Sequence, residues 1–416
     1  MFNRLKADKV RSWARCVLAV FPMALPVSGT AQGLSLHDAI QQALVSPQAQ
    51  AAAAVVDEAK GQLRQAGLGL NPRLFLESED WRPWASDYDF STQTEDFGFV
   101  SQTFEVDGKR RKRVAVATAQ LSGARANAEF TRAIIAGRVA GAYWSSGVAD
   151  RVVALLREDM KAVDEMVRYH KERVDAGAMR GVDLLRIQIE RDRLQVALLS
   201  AQRDADLARL ELFKQMGTAP RDPVVLTDSV DAMPPVAPVP VETVLARRPD
   251  LEAARDEVAA AGADIKLQRA NGAPDLDLVG GYKRNLTTNT GYGSVQIPLP
   301  FRNRNQGEIE RAKARLAVAQ ARLAALEVTV RAEVAQGEAN YKREGEIVGS
   351  VLPDMRAKAK QNLQLMTEAY RIGGVDLLRY LDAERTEFDV EVNALRTSAE
   401  YQQAALRLQL SYGVQP

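Results

Sequence analysis

The chain has 416 residues, 46% hydrophobic and 26% charged, with 55 lysines and arginines against 54 acidic residues, two histidines and one cysteine. A formal charge of +1 gives no whole-chain attraction to nucleic acid. So few cysteines and histidines exclude a disulfide framework and argue against a zinc or copper centre, which needs three or four such ligands together.

Residues 1–31 read as an export signal. Arg4, Lys6, Lys9, Arg11 and Arg15 form a basic start, and CVLAVFPMALPV at 16–27 is an apolar run too short to span a bilayer. Gly29-Thr30-Ala31 offers small residues before a cleavage point; the alternative is an uncleaved anchor. The apolar run follows Cys16 instead of preceding it, so the context for a lipid anchor is missing. Cleavage removes five basic residues, one acidic residue and the only cysteine, leaving 50 basic against 53 acidic. No later stretch holds about 20 consecutive apolar residues, so a further membrane crossing has to be made by strands.

A first structural repeat is expected over 32–218. Ser35 with Asp38 caps a short helix, and Ser46-Pro47 opens a second that ends near 67–71. Residues 73–83 and 93–106 alternate and carry aromatics around the polar tip ASDYDFSTQTED, a β-hairpin over about 73–106. From 108 to 218 there is no proline, and apolar residues recur at three and four spacing (Val152, Leu155, Leu156, Met160, Val163, Met166). The helix up to the Gly177 turn would run about 100 Å and needs lateral partners in a coiled coil or bundle. Residues 219–240 hold six prolines and read as an extended linker.

Residues 241–416 repeat the plan. Pro47 and Pro72 match Pro249 and Pro274 at one separation of 202, and GVDLLR occurs at 181–186 and 374–379. Helices are expected at 241–247 and 249–270, and strands at 276–282 and 292–299 around KRNLTTNTG. A long helix follows from 303 to about 370, kinked by Pro353. After a Gly373-Gly374 turn, a last helix runs from 375 to about 411. The turns align in two ways: Gly177 with Gly373 and Gly217 with Gly413 are 196 apart, whereas the GVDLLR copies are 193 apart. Four strands per chain fall short of the roughly eight of the smallest transmembrane barrels, and open edges cannot sit in lipid. A barrel has to be shared, with two, three or four chains giving eight, twelve or sixteen strands.

Four segments resemble the TolC-type outer-membrane factors of tripartite efflux systems, and within them the heavy-metal (CzcC-, CnrC- and NccC-like) branch. They are SQTFEVDGKRRKRVAVA at 101–117, RRPDLEAARDEVAAAGADIKLQRANGAPDL at 247–276, VQIPLPFRNRNQGEIERA at 295–312 and AYRIGGVDLLRYLDAERT at 369–386. The resemblance covers nearly all of the chain after the signal. It implies a mostly α fold with a small β part: a homotrimer sharing a twelve-stranded outer-membrane barrel above a periplasmic α-helical barrel, belted midway by shorter elements. The helical turns would meet a periplasmic adapter (membrane fusion) protein, which links to an inner-membrane proton-driven pump of the RND type.

On that resemblance Val174, Gly177, Leu184, Leu185, Ile372, Gly373, Leu377 and Leu378 form the adapter-docking tips. The competing reading is an ordinary helical-hairpin turn with core leucines. Relatives hold the closed tip with a tyrosine and charged groups. Likeness around Gly177 and Gly373 puts Asp183 and Tyr370 at two of those positions and Asp382 at a nearby acidic ring, where repeated carboxylates would favour cations. The chain departs from the pattern at Val375, where relatives are basic, and at Arg379, where they are acidic; the competing reading of the gate candidates is solvated coiled-coil charges. Lys109, Arg110 and Arg111, with Arg302 and Arg304 at the matching place in the second copy, follow strands and are expected at lipid headgroups; a solvated helix start is the other reading.

His37 and His170 are too few for a metal site, and neither a phosphate loop, a nucleophile elbow nor a catalytic carboxylate pair is present. No enzyme, cofactor or nucleic-acid role is expected. The reading is an outer-membrane duct for divalent heavy-metal cations such as cobalt, zinc, cadmium or nickel. Its alternatives are a duct for organic compounds and, in another class, a periplasmic coiled-coil adapter or structural protein. Adapters carry one hairpin flanked by compact β domains, and a structural coiled coil would lack the aromatic strand pairs.

Overall fold

The computed structural model describes residues 32–221, 224–229 and 235–413. The expected export signal at 1–31 and parts of the 219–240 linker lie outside them.

Strand β1 (Gln32–Leu34) leads into α1 (Leu36–Ala43), whose N-cap Ser35 accepts from the Asp38 N–H at 3.1 Å. Helix α2 (Pro47–Ala66) starts after Ser46 with proline in its first turn. Then come β2 (Arg73–Glu79), a four-residue helix α3 (Phe90–Gln93) in the expected polar tip, and β3 (Glu95–Phe104). Helix α4 (Lys109–Asp175) is 67 residues long, about 100 Å at 1.5 Å per residue. Helix α5 (Gly181–Met216) returns along it. The linker is tied down along its length: β4 (Val224–Leu226) pairs in parallel with β1. The buried Tyr143 hydroxyl ties this ribbon to α4, 2.8 Å from the Leu34 carbonyl and 2.7 Å from the Asp228 carboxylate.

The second repeat runs α6 (Val241–Arg247), α7 (Pro249–Asn271), β5 (Leu276–Asn285), β6 (Thr288–Gln296), α8 (Gln306–Glu346), α9 (Leu352–Arg371) and α10 (Leu377–Ser411). Its hairpin is tighter than expected. Leu286 and Thr287 alone separate the strands, and much of the supposed polar loop pairs as Lys283 with Thr290 and Arg284 with Asn289. Pro353 acts one turn upstream. Residues Ile347–Val351 form a π-helical turn, because proline lacks an N–H and its ring crowds the preceding carbonyls. The last helix begins at Leu377, two residues later than expected, because the Asp376 side chain caps it by accepting from the Arg379 N–H at 3.0 Å.

The four hairpin strands form one antiparallel sheet in the order β2-β3-β5-β6, with β2 and β6 as unpaired edges. One face is apolar and exposed: Leu74, Leu76, Val100, Leu278, Tyr282 and Val295. The other alternates with it and carries Glu77, Glu95, Lys283 and Asp277, with Lys283 paired to Glu95 at 2.9 Å. On this second face Phe75, Phe99 and Tyr292 lie in one cross-strand row around Gly281, whose missing side chain the flanking rings cover.

Two buried clusters sit midway along the long helices, one per repeat. In the first, Ile40 and Ala43 of α1 pack with Ile135, Val139, Leu212 and Met216; in the second, Val244 and Leu245 of α6 pack with Val330, Val334, Leu408 and Tyr412. Each buried Val, Leu or Ile contributes roughly 1.5–3 kcal/mol. These clusters clamp the short helices onto the long ones and hold the hairpins in register down to their tips.

Candidate functional site

Both helical hairpins turn with the same backbone. Helix α4 ends where Gly177 takes φ 71°, its N–H reaching the Val174 carbonyl and the Ala178 N–H reaching that of Arg173, both at 2.9 Å. Helix α9 ends where Gly373 takes φ 79°, with Gly373 N–H to Tyr370 at 3.1 Å and Gly374 N–H to Ala369 at 2.8 Å. This Schellman pattern needs a residue without Cβ strain at the turn. After it, the first tip spends three more residues before its leucine pair. Both sequence alignments therefore hold: the glycines and the GVDLLR copies each mark equivalent points, with the extra residues between them.

The leucine pairs divide alike in both repeats. Leu184 and Leu377 turn inward, Leu377 to 8% exposure, while Leu185 and Leu378 stay open at 55% and 63%. Leu377 belongs to a buried cluster with Val163 and Ile187, flanked by Met166, Val167, Leu194, Tyr370 and Leu381. It is therefore a seam residue and not a docking contact, which corrects the sequence expectation. The reason is helical phase: adjacent residues on a helix point about 100° apart, so a leucine pair cannot present both members to one partner. Ile372 is 86% exposed, and Val182, which sequence reasoning passed over, is also open; Val174 is half-buried.

Of the gate residues, Tyr370 and Asp183 come together and Asp382 stands apart. Burial raises the Tyr370 phenol above its usual value, with further contributions from Tyr169 and Asp183. Asp183 also pairs with Arg180 at 3.3 Å. The Asp382 side chain is exposed on α10. The hydrogen-bond partner of Tyr370 is His170, which the sequence singled out only as too isolated for a metal site: Nε2 lies 2.5 Å from the Tyr370 hydroxyl. The His170 and Tyr370 rings stack at 6.0 Å, and Tyr370 and Tyr380 at 5.3 Å. His37 is exposed in the first turn of α1. Among the described residues no group of three or more His, Cys, Asp or Glu could hold a metal ion.

Above the leucine seam lies a cavity of about 220 Å³ between α4, α5 and α10, lined by Asp159, Glu190, Arg193, Glu384 and Arg385. Burial, with the charges of Asp159, Glu190 and Glu387, pushes Glu384 up to about 7. Burial, with Glu387 and Glu158, pushes Asp159 up to about 6. Glu190 is bonded to Arg385 at 3.0 Å, a second polar link between the repeats in the half of the hairpins nearer the tips.

At the other end of the long helices the basic cluster divides. Lys109 is buried, its ammonium 2.7 Å from Asp275 and 2.8 Å from the Ala273 carbonyl. It fastens the start of α4 to the strand start of the second repeat and is not free to meet lipid, a second correction. Arg113 is bonded to Glu105, and Lys112 to Asp107 at 2.8 Å. Arg110, Arg111, Arg302 and Arg304 are exposed.

A family model described as "Outer membrane efflux protein" matches residues 39–218 and 241–414. The cobalt-zinc-cadmium resistance protein CzcC of Cupriavidus metallidurans is 27% identical over 85% of this chain and 84% of its own length. The nickel and cobalt resistance protein CnrC of the same organism is 27% identical over 73% of each chain. The crystal structure of CusC, solved in a study of folding and transmembrane channel formation, superposes with a TM-score of 0.77 at 19% identity, covering 91% of this chain and 92% of that one. The matching family is one of channels and not of enzymes. With a four-stranded sheet whose apolar face is exposed, two long helical hairpins, and a family match over both repeats, the chain belongs to the outer membrane efflux protein family and is an outer-membrane efflux channel protein.

Proposed function

We propose that this channel expels divalent heavy-metal cations as the outermost part of a tripartite pump. The observation that supports this most is the likeness, across both repeats, to proteins named for resistance to cobalt, zinc, cadmium and nickel. Three copies would close the open edges β2 and β6 into twelve strands. Residues 1–31 would be removed on export, leaving two repeats, 32–218 and 241–416, joined by the 219–240 linker.

The tips would dock a periplasmic adapter through Leu185, Ile372 and Leu378, with Val174, Leu184, Gly177 and Gly373 shaping the surface. A proton-driven inner-membrane pump of the RND type would supply energy and choose the ion. Arg110, Arg111, Arg302 and Arg304 would meet lipid phosphates where the strands re-enter the periplasm. Tyr370, with Asp183 beside it, would close the tip, and the exposed Asp382 would add a general preference for cations.

The test is resistance. A deletion strain should lose tolerance to zinc, cobalt, cadmium or nickel and recover it with the wild-type gene, while tolerance to organic antimicrobials stays constant. Unchanged metal tolerance with lost tolerance to organic compounds would replace this reading by the organic-efflux one.

A further inference from the structure

We propose that His170 is the acceptor that holds Tyr370 in the closed tip, and that its neutral ring latches the first helical hairpin to the second. The proposal rests on reading the tips as the channel's periplasmic closure. It assigns the bond that keeps them shut.

Hydrogen-bond chemistry fixes the proton. His170 Nδ1 lies 2.8 Å from the Met166 carbonyl, which can only accept, so Nδ1 carries the hydrogen. Nε2 then offers a lone pair, and the Tyr370 hydroxyl, 2.5 Å away, donates to it. The two ring planes are within 21° of parallel. His170 is 1% exposed, so water does not substitute for either partner. The bond joins α4 of the first repeat to α9 of the second at a separation of 200 residues. With both ring nitrogens occupied, His170 is not placed as a metal ligand.

Aromatic rings surround the imidazole. On α4, Tyr169 packs edge-on against it, and Arg173 lies over Tyr169 at 5.7 Å. On α9 and α10 the neighbours are Tyr370 and, behind it, Tyr380, with Arg371 and Glu384 acting on Tyr380. On α5, Asp183 acts on Tyr370 and is already paired with Arg180. No carboxylate among the described residues hydrogen-bonds the imidazole.

The test is conductance of the purified full-length channel in planar bilayers. Tyr370→Phe and His170→Phe should each raise the open-to-closed ratio roughly three- to tenfold, the worth of one buried hydrogen bond. The double variant should add nothing to either single one, because one bond is lost in each case. His170→Gln, whose side-chain carbonyl still accepts, should stay closed. Arg385→Ala breaks the second inter-repeat link and serves as reference. If Arg385→Ala opens the channel while both His170 variants behave as wild type, the tip is the closure and His170 is not its latch. If neither Arg385→Ala, Tyr370→Phe nor His170→Phe changes conductance, the tip is not the closure and the underlying reading falls with the latch. A His170→Gln channel as open as His170→Phe also overturns the proposal.

Discussion

The two repeats anchor the upper ends of their hairpins in the same place with different materials. In the first, Gly217 ends α5 against Ser46, whose hydroxyl caps α2 just before Pro47. In the second, Gly413 follows α10 against Arg248, just before Pro249, and Arg248 reaches Asp250 at 2.8 Å and Glu333 at 2.7 Å. One site is a small neutral cap and the other an ion network, yet the backbone is nearly the same. The lower ends show the reverse emphasis: the inward and outward leucines are kept, while the loop between glycine and leucine differs by three residues. The difference teaches that the backbone plan is shared and the divergence is local. Function is to be sought where the chemistry departs, at the caps, the seam and the tips.

The largest expected effect separates the two β-hairpins. A Cβ at Gly281 would lie 2.3 Å from the Gly98 carbonyl oxygen and 2.5 Å from Phe99 Cα, both backbone, whereas a Cβ at Gly98 would meet only Leu76 Cδ2 at 3.5 Å. Gly281→Ala should cost about 3 kcal/mol or more and deplete folded protein in outer-membrane fractions. Gly98→Ala should be tolerated. Equal yields would show that the hairpins do not differ in this way.

Next comes the leucine pair. Leu377→Ala should cost about 3 kcal/mol in thermal or denaturant unfolding, because it opens a cavity in the seam. Leu378→Ala should stay within about 0.5 kcal/mol and weaken adapter capture instead. Leu185→Ala should behave as Leu378→Ala does. An unfolding cost at Leu378 as large as that at Leu377 would remove the distinction between inward and outward leucines.

The anchors give a smaller contrast. Gly217→Ala adds a Cβ 2.7 Å from Ser46 Cβ at φ 68°, while Gly413→Ala meets Arg248 Cγ at 3.3 Å, where a flexible side chain can give way. Gly217→Ala should be the costlier by about 1 kcal/mol.

The smallest expected effect is on pH dependence. Glu384 and Asp159 sit above their ordinary values, so the seam is most stable below about pH 4, where both are protonated in every state. It loses stability as pH rises through about 6 and about 7. Water in the cavity screens the charges, so the change should be under about 1 kcal/mol. Glu384→Gln should flatten the unfolding curve between about pH 4 and 7.

Much of this comparison was legible in the sequence because it rests on local rules. Alternation marks the strands, proline and serine mark the starts of α2 and α7, and glycines mark both turns. What was not legible depends on how distant segments meet. Lys109 looks like a surface cation until Asp275, 166 residues away, folds over it. Leu377 and Leu378 are indistinguishable until the neighbouring helix fixes which side is inside. Tyr370 could be picked out from the tip's resemblance, but its partner could not, because His170 lies 200 residues earlier on a helix whose rotation the sequence does not state.

The π-helical turn at Ile347–Val351 has a consequence for symmetry. A π turn adds one residue to a helical turn and so rotates everything below it relative to everything above. Helix α4 has no such interruption over its 67 residues. The second hairpin thus carries a change of helical phase midway that the first lacks. In a closed ring the two hairpins of each chain would be unequal staves, and an opening motion could twist one kind while the other stood still.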